Sequence, residues 1–330
     1  MNLAVSRGLI GSSWATIFAT SGYAVCLYDI SAEAVETAKK RILNNLKLLE
    51  VELCKTEYSR LNFFKNLKNF KKNIICYQEN SLLRSPGTAA QHFQNISSSA
   101  DLKECLQGAF YCQYWFNCCF LRESAGETLA LKKDIFAKMD VVVEPNTIVG
   151  SSTSAIPSSS SRYLVVHPVN PPLFVNLVEI VPNQWTSAEV TAVTKNLMKT
   201  IGQEPVEVKM EPLGFALNRI QYAVIQEAWR LVKAGVVTPD DLDKVMKEGL
   251  GPRYAFFGIR DYMDRFMSGI KEVTDNFGPS PSFDDNSVQE VLTTSLNAQM
   301  PLKDLDGYIK KREKYLVELT KLKKGIESAK

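Results

Sequence analysis

Residues 3–29 constrain the fold of this chain more strongly than any other stretch. A short apolar run at residues 3–5 is followed by a Gly-Leu-Ile-Gly turn at residues 8–11, by an apolar segment with helical spacing, and by a second apolar run that ends in Asp29. The order of strand, glycine turn, helix, strand and acid is that of the opening βαβ unit of a dinucleotide-binding fold. We therefore predict an α/β fold that begins with a Rossmann-type parallel sheet.

The residues of this unit have distinct expected tasks. Gly8 would let the backbone approach a pyrophosphate, and Gly11 would let the helix pack closely against the sheet. The helix N-terminus would offer free N–H groups and partial positive charge to the phosphates. Asp29 is placed to accept both ribose hydroxyls, which favours NAD and repels the 2′-phosphate of NADP. Ser6 stands where a turn glycine is expected, and a serine held at positive φ would cost about 1 kcal/mol.

A second constraint lies in residues 165–181, which contain one of the two histidines of the chain. His167 ends a short apolar run, and Glu179 interrupts the next one. A lone carboxylate in a buried strand is costly unless a group pairs with it, and histidine is both a natural partner and the commonest general acid or base. Two interpretations stay open: a catalytic His167–Glu179 pair, or a capped turn before a strand whose Glu179 reaches solvent.

The composition is that of an ordinary globular chain. Its 330 residues are 45% hydrophobic and 23% charged, which leaves room for two domains. The net charge of +3 gives no reason to expect a nucleic acid or a membrane as partner, and no apolar run is long enough to span a bilayer. Seven cysteines occur without a C-x-x-C pair, so we predict reduced thiols, a cytoplasmic location and no metal site. His92 has no acidic or cysteine neighbour that would give it a chemical task.

Strands and helices alternate to about residue 210, and only helices are expected beyond it. We therefore predict a Rossmann-type NAD-binding domain at residues 1–210 and a helical substrate or dimerisation domain at residues 211–330. The helix that opens at Gly214 and runs to Lys233 is apolar on several sides. We expect it to be buried, partly by a second subunit in a homodimer.

Three further patterns are less specific. Thr238 and Pro239 are an N-cap and first-turn proline, and they predict a helix that ends at Gly249. The lysine-rich insert at residues 65–72 is interpreted as a solvated surface, although an anionic partner is the functional alternative. The serine-rich residues 151–161 predict either a flexible loop or a hydroxyl-lined site at the carboxyl end of a strand, where open α/β sheets bind ligands.

Several runs of the chain match one known family in order: residues 8–15, 26–30, 131–136, 151–154, 167–172 with 177–179, 214–219, 227–231 and 249–256. On these runs the chain resembles the 3-hydroxyacyl-CoA dehydrogenase family, and within it the lambda-crystallin branch. The resemblance implies NAD as cofactor and oxidation of the 3-hydroxyl of a small hydroxy acid, in this branch L-gulonate to 3-dehydro-L-gulonate.

The resemblance also implies roles for individual residues. His167 would take the hydroxyl proton and Glu179 would hold the imidazole. The substrate would be contacted by Ser154, Asn170, Asn218 and Arg253, the last through its carboxylate. NAD would be contacted by Gly8, Leu9, Ile10, Gly11, Asp29, Glu127 and Lys132.

This sequence departs from the family pattern in places, notably at Ser6, in residues 53–90 and in the run at 114–126. Two alternatives to the gulonate hypothesis therefore stand. One is a catalytically weak homologue kept as a structural protein, which the altered cofactor turn motivates. The other is the same chemistry on a 3-hydroxyacyl-CoA, although the Pro-Pro pair after Asn170 and the Gly-Pro-Arg-Tyr run favour the small-acid branch.

Overall fold

The computed structural model of the protein describes residues 2–6, 9–29, 31–51, 82–114, 137–152, 160–259, 269–299 and 304–328. The chain forms two compact units. The first comprises Met1–Leu213 together with Tyr315–Lys330, and the second comprises Gly214–Lys314.

One sheet of eight strands forms the centre of the first unit, in the order β3-β2-β1-β4-β5-β6-β7-β8. Neighbouring strands from β3 to β6 pair in parallel, β7 runs antiparallel to β6, and β8 is parallel to β7. The predicted Rossmann-type parallel sheet is therefore confirmed, with its last two strands reversed in direction. The strands are β1 (Asn2–Ser6), β2 (Ala24–Tyr28), β3 (Ile96–Ser99), β4 (Ala109–Tyr114), β5 (Ile148–Ser151), β6 (Tyr163–Pro168), β7 (Leu177–Pro182) and β8 (Glu204–Glu207).

Helices cover this sheet and bury its apolar side chains. They are α1 (Leu9–Thr20), α2 (Ala32–Val51), α3 (Ala89–Phe93), α4 (Leu102–Leu106) and α5 (Ala188–Thr200). Trp14 and Phe18 of α1 are fully buried and stack with ring centroids 5.7 Å apart. His92 of α3 is buried, with its ring nitrogens 3.2 Å from the carbonyl oxygens of Ala19 and Ser85. Its contacts are therefore with backbone groups, as expected of a structural histidine.

The predicted strain at Ser6 is wrong. Ser6 is the last residue of β1 and is paired with Tyr28 of β2. Among the described residues, Phe215 and Phe283 are the non-glycine residues with positive φ. Because β1 continues through Ser6, this residue needs only extended backbone, which any L-residue adopts without the cost assigned to a left-handed turn.

The elements described in the second unit are helices joined by turns. They include α6 (Leu217–Lys233), α7 (Pro239–Lys244), a π-helical turn (Val245–Leu250), α8 (Gly251–Phe256) and α9 (Asn286–Gln299). Thr238 caps α7 as predicted, because its Oγ1 accepts a hydrogen bond of 3.2 Å from the backbone N–H of Asp241. The prediction that this helix ends at Gly249 is wrong, since the π-helical turn carries the chain through Gly249 into α8.

The last helix, α10 (Leu305–Ser328), changes the predicted domain boundary. From Tyr315 onward it belongs to the first unit, where Val317 is fully buried in the core and Leu316 packs against it. Residues 211–330 therefore do not form one domain, because the apolar face of this C-terminal segment completes the core of the α/β unit. In the part of the chain described, no helix is both long and apolar enough to cross a bilayer.

β4 and β5 approach each other closely at Gly150, which is paired with Gln113. A Cβ atom added at Gly150 would lie 2.8 Å from Oε1 of Gln113 and would overlap the hydroxyl of Tyr111. Both of those side chains are buried, so neither has room to move aside. Gly150 is therefore required by packing rather than by backbone conformation.

We expect Gly150→Ala to destabilise the protein by about 1–3 kcal/mol, the usual cost of overpacking a core. Urea denaturation followed by circular dichroism measures this change. Gly249→Ala is the matched control, because no atom lies within 4 Å of a Cβ built there. Equal denaturation midpoints for the two variants would contradict the packing assignment.

Candidate active site

The antiparallel pairing of β6 and β7 brings His167 and Glu179 directly opposite each other. Residues paired in this way project from the same face of a sheet. Nδ1 of His167 lies 2.8 Å from Oε2 of Glu179, and the two side chains are 17% and 2% exposed. Glu179 therefore does not reach solvent, and the interpretation as a capped turn with a solvated carboxylate is wrong.

The connection between the two strands is held in a compact turn. The backbone N–H groups of Phe174 and Val175 both donate to the carbonyl oxygen of Pro171, at 3.1 and 3.0 Å. Leu173 and Phe174 are buried and belong to the core of the first unit. The proline-rich segment is thus anchored, and it fixes the register that pairs His167 with Glu179.

The geometry of the pair assigns the roles of the two imidazole nitrogens. An ionised carboxylate can only accept hydrogen bonds, so the short contact to Glu179 places the hydrogen of neutral His167 on Nδ1. Nε2 is then the nitrogen with a lone pair able to accept a proton. When it does, Glu179 stabilises the positive charge, as the carboxylate does in other imidazole–carboxylate pairs.

A buried polar network that the sequence analysis missed lies beside this pair. The hydroxyl of Tyr111 donates to Oε1 of Gln113. Nε2 of Gln113 donates to Oγ of Ser152 at 2.7 Å and to the carbonyl oxygen of Val166 at 3.3 Å. Burial raises the pKa of Tyr111 above its ordinary value, so its hydroxyl remains a donor. The network therefore ties β4 and the end of β5 to the residue that precedes His167.

A signal for Gln113 was present in the sequence. It directly follows the apolar run at 109–112. An amide at the end of a buried strand needs hydrogen-bond partners for the same reason that Glu179 needed one. The partners themselves come from β5 and β6, and sequence spacing does not identify them.

The nucleotide-binding unit has the arrangement that NAD requires. β1 and β2 are adjacent and parallel, and β1 lies between β2 and β4, where the order of the strands reverses. α1 begins at Leu9 and carries no acidic residue in its first turn to offset the positive end of its dipole. Ile10 and Gly11 are buried in that turn. Asp29 directly follows β2, and its Oδ1 accepts a hydrogen bond of 2.8 Å from the backbone N–H of Ser31.

The remaining predicted site residues are distributed as follows. Asn170 lies three residues beyond His167 and is exposed. Asn218 is the second residue of α6 and Arg253 lies in α8, so both belong to the second unit. Gly8, Glu127, Lys132 and Ser154 lie outside the described residues.

A Rossmann-type unit with an acid after its second strand, combined with a buried histidine–glutamate pair, is typical of NAD-dependent dehydrogenases that oxidise an alcohol. Comparison with protein families agrees. The family model for the 3-hydroxyacyl-CoA dehydrogenase NAD binding domain matches residues 4–82 and 65–211. The model for the 3-hydroxyacyl-CoA dehydrogenase C-terminal domain matches residues 214–299. The chain therefore belongs to the 3-hydroxyacyl-CoA dehydrogenase family and carries its NAD-binding domain.

Individual relatives indicate the branch of the family to which the chain is most similar. It is 36% identical over 348 residues to the lambda-crystallin homolog of Homo sapiens, covering 98% of this chain and 96% of that one. It is 34% identical to the lambda-crystallin of Oryctolagus cuniculus, with coverage of 98% and 97%. It is 27% identical to the L-carnitine dehydrogenase of Pseudomonas putida, with coverage of 90% and 85%. The predicted resemblance to the lambda-crystallin branch is thereby confirmed.

Solved structures show the same fold. The 5-dehydrogenase of 5-formyl-3-hydroxy-2-methylpyridine 4-carboxylic acid, an NAD+ dependent dismutase, has a TM-score of 0.68 at 22% identity and covers 97% of each chain. The (S)-3-hydroxybutyryl-CoA dehydrogenase of Ralstonia eutropha has a TM-score of 0.57 at 25% identity, with coverage of 76% and 77%. The two-domain architecture of the family is thus present along this chain.

The position of Asp29 leads to a binding prediction. If Asp29 binds the ribose hydroxyls as the sequence predicts, we expect Asp29→Asn to weaken NADH binding by about tenfold or more, because the charge-assisted hydrogen bond assigned to it would be lost. Discrimination against NADPH should fall as well, because the repelling charge is gone. Asparagine keeps an acceptor for the N–H of Ser31, so α2 should still begin normally.

Fluorescence titration with NADH and NADPH measures both effects. Glu33→Gln is the matched control, since Glu33 is an exposed acid in the first turn of α2. The ribose assignment fails if Asp29→Asn and Glu33→Gln bind NADH with the same affinity.

Proposed function

We propose that this chain is an NAD-dependent dehydrogenase that oxidises the 3-hydroxyl of a small hydroxy acid, most specifically L-gulonate to 3-dehydro-L-gulonate. The observation that carries the proposal is the 2.8 Å contact between Nδ1 of His167 and Oε2 of Glu179. It provides a general base in a chain whose family supplies the NAD-binding domain.

The proposed chemistry divides the work between two side chains. His167 takes the hydroxyl proton of the substrate on Nε2, so the substrate oxygen becomes a carbonyl oxygen as the neighbouring C–H bond breaks. Glu179 holds Nδ1–H in place and stabilises the imidazolium that forms. The residues assigned to NAD below would hold the cofactor, which would supply the hydride acceptor for that carbon. His167 is partly exposed, which is the access that a base needs to meet its substrate, while Glu179 is shielded from competing water.

We assign the other contacts to the substrate by the family resemblance. Ser154 and Asn218 would donate hydrogen bonds to the reacting oxygen, and Asn170 would contact the substrate beside the pair. Arg253 would bind the carboxylate of the acid, for which a planar guanidinium is well suited. Gly8, Leu9, Ile10, Gly11, Asp29, Glu127 and Lys132 would contact NAD.

The choice of a small acid is supported by the relatives. Curated relatives that are 34–39% identical to this chain are lambda-crystallins and their homologs, whereas a 3-hydroxyacyl-CoA dehydrogenase of Gibberella moniliformis is 29% identical. The match to an L-carnitine dehydrogenase adds a relative whose name gives a small hydroxy acid as substrate.

We expect the purified protein to reduce NAD when L-gulonate is added, and we expect His167→Ala to lower kcat by about 10²–10⁴-fold, the usual contribution of a general base. Glu179→Gln should also lower kcat, because a neutral glutamine cannot stabilise the imidazolium. Absorbance of NADH measures both. Glu204→Gln, a neutralised exposed glutamate at the start of β8, is the matched control and should be unaffected. Full activity of His167→Ala would disprove the base assignment.

The name of the family supports a second candidate substrate, a 3-hydroxyacyl-CoA. The same His167–Glu179 chemistry would oxidise it. Turnover of L-gulonate and of a 3-hydroxybutyryl-CoA thioester at equal concentrations decides between the two. NADH binding without turnover of either substrate would favour the catalytically weak structural homologue.

We further propose that the protein is a homodimer. α6 has no buried residue, although the sequence predicted burial, and Ile220, Tyr222 and Ile225 are 62%, 50% and 44% exposed. Exposed apolar side chains of this size on one helix are the usual mark of an interface. A second copy of the chain would cover them with an equivalent surface, as closed dimers do.

If so, the protein should have twice the chain mass in size-exclusion chromatography with light scattering. Ile220→Glu should shift it toward the monomer, because a carboxylate would be buried in an apolar interface. Gln221→Glu adds the same charge at the neighbouring exposed position and should leave the mass unchanged. A monomeric wild-type protein at micromolar concentration would refute the dimer.

A further inference from the structure

Two cysteines, Cys26 and Cys105, meet on one face of the sheet in the first unit. Cys26 is the third residue of β2, and its neighbours Val25 and Leu27 belong to the core cluster. Because successive side chains of a strand project from opposite faces, Cys26 projects from the other face of the sheet. Cys105 lies in α4, between β3 and β4, and its Sγ is 3.3 Å from the carbonyl oxygen of Cys26. The two cysteines therefore form the contact between α4 and β2.

The surroundings of Cys26 favour its thiolate form. The thiol of Cys105 lies within hydrogen-bond reach of the Cys26 sulfur, and so does the hydroxyl of Ser97, which is paired with Cys26 on β3. These hydrogen bonds lower the pKa of Cys26 to about 7, although burial and the charge of Glu104 act in the opposite direction. Cys26 is also partly exposed. A partly exposed thiol with a lowered pKa has the properties of a reactive cysteine.

The other two cysteines of the described residues have the opposite character. Cys105 and Cys112 are both buried. The hydrogen bond to Cys26 and burial raise the pKa of Cys105 well above its ordinary value, and burial raises the pKa of Cys112 to about 12. Cys26 is thus a reactive thiol in contact with a protonated one. This is the usual arrangement of an oxidisable cysteine and the cysteine that resolves it.

We propose that Cys26 and Cys105 are an oxidative modification site, at which a small hydroperoxide oxidises Cys26 and Cys105 then closes a disulfide between β2 and α4. Neither cysteine is among the residues assigned to the substrate or to NAD. The proposal therefore does not depend on the dehydrogenase reaction.

The oxidation by hydrogen peroxide takes two steps. The Cys26 thiolate attacks one oxygen, an S–O bond forms as the O–O bond breaks, and the leaving hydroxide takes a proton from solvent to become water. Cys26 is then a sulfenic acid, and the peroxide has been reduced by two electrons. The sulfur of Cys105 attacks the sulfur of Cys26, an S–S bond forms as the S–O bond breaks, and the hydroxyl leaves as water with the proton of Cys105. Two thiols and one peroxide give one disulfide and two waters.

The surrounding elements allow the two sulfurs to approach to the length of a disulfide bond, about 2.05 Å. β2 is held on both sides, by β1 and by β3. α4 has five residues, and its Lys103 and Glu104 are exposed. We therefore expect α4 to move toward β2 when the bond forms, while the strand stays in place.

Mass spectrometry of the peroxide-treated protein tests the site. The reduced full chain is treated with a small excess of hydrogen peroxide at neutral pH, and the remaining thiols are blocked with N-ethylmaleimide before digestion. Trypsin and chymotrypsin together separate Cys105 from Cys112, because Phe110 and Tyr111 lie between them. We expect a pair of peptides linked through Cys26 and Cys105, which dithiothreitol separates.

Cys26→Ser and Cys105→Ser should each abolish this link. In Cys105→Ser the oxidation should stop at the sulfenic acid of Cys26, which dimedone labels. Cys112→Ser is the matched control, because it removes a buried thiol two strands from Cys26, at the same level of the sheet, where both are paired with Ala4. It should leave the link unchanged.

The wild-type protein decides the outcome even if a serine variant fails to fold. Absence of the Cys26–Cys105 link after peroxide treatment would overturn the proposal. A disulfide from Cys26 to another cysteine in place of Cys105, or dimedone labelling that spares Cys26 in folded Cys105→Ser, would overturn it as well.

Discussion

The hydrogen bond between His167 and Glu179 is the interaction on which the site depends. Glu179 is almost fully buried, and a carboxylate in that position needs a compensating group. His167 supplies it, and Glu179 in return fixes the imidazole tautomer. The two residues can meet because β7 reverses the direction of the sheet and places them opposite each other within a single hairpin. A parallel β7 would have required a crossover connection of a dozen or more residues, and the turn between these strands is shorter than that.

The position of His167 also depends on contacts outside the His167–Glu179 pair. Gln113 binds the carbonyl of the residue before His167 and the side chain of Ser152 at the end of β5. Tyr111 reaches Gln113 only because Gly150 has no side chain. Because Gly150 of β5 has no side chain, Tyr111 of β4 fits beside it and donates to Gln113. Gln113 in turn links β4 to Ser152 and to the backbone of β6 next to His167. This chain of contacts is polar and buried, so each member depends on the others being satisfied.

Much of this arrangement could be predicted from the sequence, because its signals are local. The βαβ unit is specified within 27 residues by glycines, apolar runs and Asp29, and the isolation of Glu179 in an apolar strand is visible without any knowledge of the fold. Other features depend on long-range pairing. Nothing local shows that β7 is antiparallel, that Gln113 finds its partners on β5 and β6, or that the last turns of α10 return to the first unit. Ser6 and Gly249 misled for another reason: each was assigned to a break in secondary structure, whereas the strand and the helical path continue through them. Continuing a helix through a glycine costs only about 1 kcal/mol, which neighbouring hydrogen bonds easily outweigh.

The environments of Glu179 and Arg84 show two ways in which a charged side chain is accommodated in one α/β unit. Arg84 is only partly buried, and the amide oxygen of Gln203 accepts from its guanidinium, so its charge needs no proton transfer to be stabilised. Glu179 is almost fully buried, and the side chain within hydrogen-bond distance of it is an imidazole. Protonation of His167 would place a positive charge beside the carboxylate, so the compensation of Glu179 would change with the proton that the proposed reaction moves. A carboxylate whose counter-charge appears and disappears in this way is suited to a site of proton transfer.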